Sequence, residues 1–202
     1  MMTIPGRSDA ARILLDLEPP GWLLAHSAAV AEIAAFLADL GAARGRPVDV
    51  PLTEAAALLH DVDKLEPAAQ LAPSLGHGAA GAVWLTGRGH PELADAVANH
   101  PATRLAGPAA DAWLASAGAE ELIVAYADKR ATQDVVTLDQ RFDEWVEGHP
   151  DQVLAIEHGR ARAHLLEAQV CTLAGVTRDE VVRLPWVAAA LAEARAAGTP
   201  PQ

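Results

Sequence analysis

One stretch, AALLHDVDKLEP from Ala56 to Pro67, restricts the fold more than any other. An apolar run ends in an adjacent imidazole and carboxylate, His60 and Asp61, and Lys64 follows. Both groups are expensive to bury without partners. A chain that sets them at the end of a buried helix needs other polar groups to meet them.

Composition says what kind of scaffold can do this. Of 202 residues, 51% are hydrophobic, enough for one large domain or a core with an extension. Alanine dominates, aromatics are 4%, and β-branched runs are short, which predicts packed helices rather than sheet. No apolar run is expected to reach the ~20 residues of a membrane span. The opening MMTIPGRSDAAR lacks the apolar stretch of a signal peptide. The single cysteine, Cys171, excludes an internal disulfide framework and a multi-cysteine zinc site. A cytoplasmic protein is the expectation. The formal charge of −12, with 15 scattered Lys and Arg, argues against binding a nucleic-acid polymer. An anionic substrate would need local positive charge to hold it.

Helical spacing and breakers predict the elements. A short helix runs to about Leu17, capped by Ser8 or Asp9. A longer one from Trp22 to about Leu40 carries the stripe Leu23, Val30, Ile33, Leu37, Leu40, with His26 inside it. Thr53 is a plausible N-cap for the helix ending in His60 and Asp61. A broken connection follows, and His77 sits where a new helix begins. Pro91 opens another, which must stop near His100 because Pro101 follows. HPATRLAGPAAD reads as loop. Helices are expected from about Glu120, from Asp139 to Glu147, from Pro150 to about Leu173, after Thr177 and after Pro185.

The His and Asp residues on apolar faces or at helix ends are His26, His60, Asp61, His77, His100 and Asp128. Four imidazoles and two carboxylates form a nitrogen–oxygen set suited to iron, manganese, zinc, cobalt or nickel and poorly suited to calcium. If His60 and Asp61 are successive helical residues they point ~100° apart and can reach one metal at the helix edge. Taken singly, each histidine has a structural reading, as a hydrogen-bonded core residue, a turn residue or a helix-end cation. His90, His149, His158 and His164 fall outside the set, and Trp84, Trp113, Trp145 and Trp186 read as core.

The order H…HD…H…H…D, with Lys64 and the downstream YADKR, resembles the HD-domain superfamily of metal-dependent phosphohydrolases over roughly Trp22 to Glu147. His77 in GHGAAGA and His100 in ANHP look like its two-metal branch. HGAAGA and AYADK look most like bacterial symmetrical diadenosine tetraphosphate hydrolases and small HDIG-type proteins. The pattern departs from the family at Asp63, where glycine is usual, at Pro101-Ala102-Thr103, and in RATQD after ADK.

The resemblance implies an all-α HD-domain helical bundle over 1–149 with a C-terminal helical extension over 150–202. It implies two divalent transition metals, iron first, with manganese, nickel, cobalt and zinc as alternatives. The first metal would take His26, His60, Asp61 and Asp128, and the second Asp61 as bridge, His77 and His100. Lys64 would lie near the phosphate, and Asp61 and Lys64 would be the catalytic pair. Arg104, Lys129 and Arg130 are further candidate phosphate contacts. The implied activity is hydrolysis of a phosphate ester or anhydride of a small molecule or nucleotide. The same ligand order serves a mixed-valence di-iron oxygenase on a small anionic substrate, and a non-catalytic HD-like binding module is the third reading. The extension carries no legible chemistry and is expected to cap the core or form a homodimer face, for example through LPWVAAALAEARAA.

Overall fold

The computed structural model describes residues 4–198 and is helical throughout, with no strand among them. The helices are α1 (Arg7–Leu15), α2 (Gly21–Ala43), α3 (Val50–Leu59), α4 (Ala72–Leu75), α5 (Ala79–Gly87), α6 (Ala94–Asn99), α7 (Ala102–Ala106), α8 (Ala110–Ser116), α9 (Ala119–Lys129), α10 (Leu138–Gly148), α11 (Val153–Ala174) and α12 (Val187–Gly198). Short 3-10 turns at 62–64, 68–71, 91–93 and 178–180 join them.

The long helix α2 is the axis of the bundle. It packs on α3, α9, α11 and α12. Its small residues Ala29, Ala31, Ala34, Ala35 and Ala38 are fully buried and let its neighbours come close. At Gly41 the approach of α11 is so tight that a Cβ would lie 2.6 Å from Leu173 Cδ2. With a mean hydropathy of 1.6, α2 is long and apolar enough to cross a membrane, against expectation. Yet 67% of that window is buried inside the bundle, and α2 carries His26 and Glu32, so it reads as a core helix.

Several element ends differ from expectation. Gly6, not Ser8 or Asp9, is the N-cap of α1, and the Ser8 hydroxyl instead donates to Glu193 on α12. Asp49 caps α3 by accepting from the Leu52 N–H at 3.0 Å, and Thr53 donates its hydroxyl back to the Asp49 carbonyl at 2.8 Å. Pro51 in the first turn is compatible with that early start, since its missing N–H has no helical acceptor there. The segment expected as loop, His100 to Asp111, holds α7, with Leu105 buried, and the start of α8, whose Trp113 is buried as well. Trp186 is also buried, whereas Trp84 and Trp145 are half-buried.

The last third of the chain is tied to the rest by a buried polar cluster. Tyr126 on α9 donates to Glu167 on α11 at 2.8 Å, and the Arg130 guanidinium pairs with Glu167 at 3.3 Å. Arg130 also donates to the carbonyls of Val136 and Arg178. Burial raises the Tyr126 phenol, so it stays a donor. Removing Glu167 or Arg130 would leave the other charge buried alone, which is strongly destabilising.

Candidate metal centre

His60 is the last residue of the α3 turn, and Asp61 leaves it with φ −102° to open the 3-10 turn 62–64. The two are therefore not successive residues of one α-helix, as expected, but straddle its end. In a 3-10 turn residues three apart eclipse one another. This stacks Lys64 over Asp61, with the ammonium 2.7 Å from Asp61 Oδ2.

All four histidines share one device. The Nδ1 of His26, His60 and His100 donates to the carbonyls of Thr132 (2.8 Å), Ala57 (2.7 Å) and Val97 (2.6 Å). The Nδ1 of His77 donates to Asp63 Oδ1 at 2.9 Å. With Nδ1 donating, each ring in its neutral form presents the lone pair of Nε2, the tautomer a metal needs. The four Nε2 atoms converge in two pairs, His26 with His60 at 3.2 Å and His77 with His100 at 3.1 Å. Asp61 lies between the pairs. Its Oδ2 is 3.3 Å from His60 Nε2 and 3.6 Å from His26 Nε2, and its Oδ1 is 3.3 Å from His77 and 3.5 Å from His100. Asp128 joins the first pair, with Oδ1 3.3 Å from His26 Nε2 and 3.7 Å from His60 Nε2.

A metal fits this arrangement on physical grounds. Facing lone pairs at such distances repel unless a cation or a proton stands between them. Buried Asp61 Oδ1 has no hydrogen-bond donor and faces two such lone pairs. Two ligand triads each converge within 4.8 Å, His26–His60–Asp61 and Asp61–His77–His100, and Asp61 belongs to both. Burial works against charge on Asp61, but His60 and His100 outweigh it and hold the carboxyl well below its usual range. Burial also opposes charge on Asp128, where Lys129 and His26 prevail. Burial lowers His100 to about 4, so it is neutral at pH 7. For His60 burial pushes down, and Asp61 and Asp128 more than offset it.

The two halves are built differently. His26, His60 and His100 are buried, whereas the His77 side chain is 41% exposed. Asp63 compensates by holding the His77 ring with one oxygen and the Gly78 N–H, at 2.6 Å, with the other. Gly78 turns the chain at φ +81°, and a Cβ there would meet Pro101 Cγ at 2.8 Å. In the sequence Asp63 stands out only as a departure from glycine. Its separation of two residues from Asp61 and its position before a histidine-bearing turn were the available signal.

Among the expected phosphate contacts, Lys64 lines the cavity beside the ligands, its side chain 40% exposed. The other three are placed elsewhere. Lys129 is fully buried and donates to Asp128 and to the His100 carbonyl, so it steadies two ligand residues from behind. Arg130 belongs to the Glu167 cluster. Arg104 lies over the Trp113 ring, 5.5 Å from its centroid.

A cavity of about 380 Å³ opens from Asp61, Asp128, His77 and Lys64. Its near side is α7, through Pro101, Ala102, Thr103 and Ala106. Its far side is α10 and α11, through Arg141, Phe142, Trp145, Ala155, Ile156 and Gly159, with His149 and Gln152 between them. Sequence reasoning missed Arg141, and it read Trp145 as core. The i, i+4 spacing of these two on one helix was the available signal. The extension expected to carry no chemistry therefore supplies part of the cavity wall.

The family model of the HD domain matches residues 23–133, more than half of the chain. The chain belongs to the HD-domain family. No curated protein and no solved structure matches it. HD domains are metal-dependent phosphohydrolases as a superfamily and bind divalent metals, and the His/Asp cluster fits such a site. The matched segment contains all six ligand candidates and Lys64 but ends before α10 and α11.

Proposed function

We propose that this HD-domain protein hydrolyses a phosphate ester or anhydride of a small molecule at a dinuclear site of divalent transition metals, iron first among them. The observation that carries the reading is Asp61, shared by two converging triads with the Lys64 ammonium beside it in the cavity lining. His26, His60, Asp61 and Asp128 would hold one metal and Asp61, His77 and His100 the other. Metals bound there would acidify water and offset charge on phosphoryl oxygens.

The chain's own residues supply the rest. The carbonyls of Thr132, Ala57 and Val97 and the Asp63 carboxylate hold each imidazole in its ligating tautomer. Lys64 is a point charge with three donors, suited to a phosphoryl oxygen as charge builds on it. Phe142, Trp145 and Ile156 keep the far side of the cavity apolar and limit water beside the reacting group.

The test is elemental analysis of anaerobically purified protein, followed by a phosphatase screen with iron, manganese, nickel and cobalt. Two metals per chain and hydrolysis of a small phosphate ester or anhydride are expected. Dioxygen uptake by iron-loaded protein, without phosphate release from any substrate, would overturn the reading.

A further inference from the structure

The far wall of the cavity has a charge pattern of its own. Apart from the ligand residues Asp61 and Asp128, no carboxylate lines the cavity among the described residues. On the wall of α10 and α11 the formal charge is Arg141. Its guanidinium covers the Trp145 ring at 4.8 Å from the centroid, and its Nη1 pairs with Glu144 at 3.2 Å. Its Nε is buried and meets no protein acceptor. The same wall carries the apolar groups Phe142 and Ile156, and Pro101 and Ala102 line the near side.

We propose that this wall is a specificity subsite: beside the phosphoryl group it takes one compact, largely apolar ester group, about one ring in size, and refuses a cationic one. The proposal rests on the phosphohydrolase reading for the phosphoryl end. Size follows from the volume, since about 380 Å³ lies at the low end of small-molecule sites and must hold the phosphate as well. Preference for an apolar group follows from the lining. Refusal of a cation has three causes. An ammonium on this wall finds no carboxylate, and burying it unpaired is costly. Arg141 repels it. The Trp145 face that could attract it is covered by Arg141. The planar guanidinium of Arg141 favours an anionic oxygen, together with Lys64.

The test uses metal-reconstituted protein and three phosphonates whose C–P bond does not hydrolyse, so binding is read without turnover. Calorimetric titration should find phenylphosphonate tightest, ethylphosphonate next and 2-aminoethylphosphonate weakest, with about tenfold or more between first and last, the size of a small apolar contact. Equal affinities or the reverse order would overturn the subsite. Gln152→Asp adds a carboxylate to the wall at the N-cap of α11, a position that favours aspartate, so the fold is kept. This variant should narrow the gap between the ethyl and aminoethyl compounds severalfold. An unchanged gap would overturn the charge argument. If the order holds while no phosphate ester is hydrolysed, the phosphohydrolase reading falls and the subsite stands. Hydrolysis without any preference among the phosphonates removes the subsite alone.

Discussion

The two sides of the cavity are made on opposite principles. On the ligand side each imidazole is tied through Nδ1 to a carbonyl or to Asp63, and the Nε2 atoms face one another in pairs at 3.1–3.2 Å. On the α10–α11 side the groups are apolar or half-exposed, and only Arg141 carries a formal charge. The first side is over-determined, because losing one partner leaves another polar atom buried and unpaired. The second is loosely determined, because an apolar wall of similar volume can be built from many side chains. Changes on the ligand side should therefore abolish metal binding or catalysis, and changes on the other should alter selectivity and leave the metals alone.

The largest effect is expected at Asp61. Asp61→Ala should remove both metals and reduce activity to background, because the carboxylate belongs to both triads. His100→Ala should spare the metal held by His26, His60 and Asp128. Elemental analysis of the two variants checks this. Retention of both metals by Asp61→Ala would break the idea of a single shared ligand.

Next is Lys64. It touches Asp61 but is no metal ligand, so Lys64→Ala should leave metal content unchanged and lower kcat by roughly 10²–10³, the usual size for losing one charge-stabilising donor. Steady-state kinetics with metal analysis alongside measures it. A rise in KM at constant kcat would instead make Lys64 a binding residue. No change in either would place it with ordinary surface lysines.

Asp63 separates the two halves of the ligand side. Asp63→Ala frees the His77 ring and the Gly78 turn, and outer partners of this kind are typically worth 10–100-fold in metal affinity. The loss should fall on the metal held by His77 and His100. Competition with a chelator, followed by metal content, reads it. An equal loss at both positions would mean that Asp63 supports the whole fold of the turn rather than one ring.

The same contrast explains what was legible in the sequence. His26 and the His60–Asp61 pair stand out because a polar group on an apolar helical stripe requires a reason, and the structure brings all six ligand candidates together. The all-α fold was legible from alanine content and helical spacing. The short helices α7 and α8 were not, because prolines and glycines around them erase the periodicity and tertiary packing decides the backbone. Basic residues were hardest. Arg104, Lys129 and Arg130 lie near the motif in sequence, yet long side chains go where acceptors are, and Glu167, Asp128 and backbone carbonyls claim two of the three. The i, i+4 spacing pairs Arg141 with Trp145, but it is the packing of α10 on α11 that brings them to the cavity, and that contact is long-range.

The smallest expected effect is on the far wall, at Ile156. It is half-buried on α11 and lines the cavity, with no polar atom to leave stranded. Ile156→Ala removes three carbon atoms of apolar contact from the bound ester group. In a hydrophobic pocket each missing methylene is worth at most about 1–3 kcal/mol, and the open side of this cavity lets water or a side-chain shift recover part of it. The expected outcome is a severalfold rise in KM for an aryl phosphate, with kcat and metal content unchanged. Kinetics on phenyl phosphate and on a small polar phosphate ester, together with metal analysis, provides the check. An equal loss on both substrates would mean that α11 acts on the reacting centre itself. A loss of metal would mean that the two sides are one mechanical unit, since α11 packs on both α2 and α9, which carry His26 and Asp128.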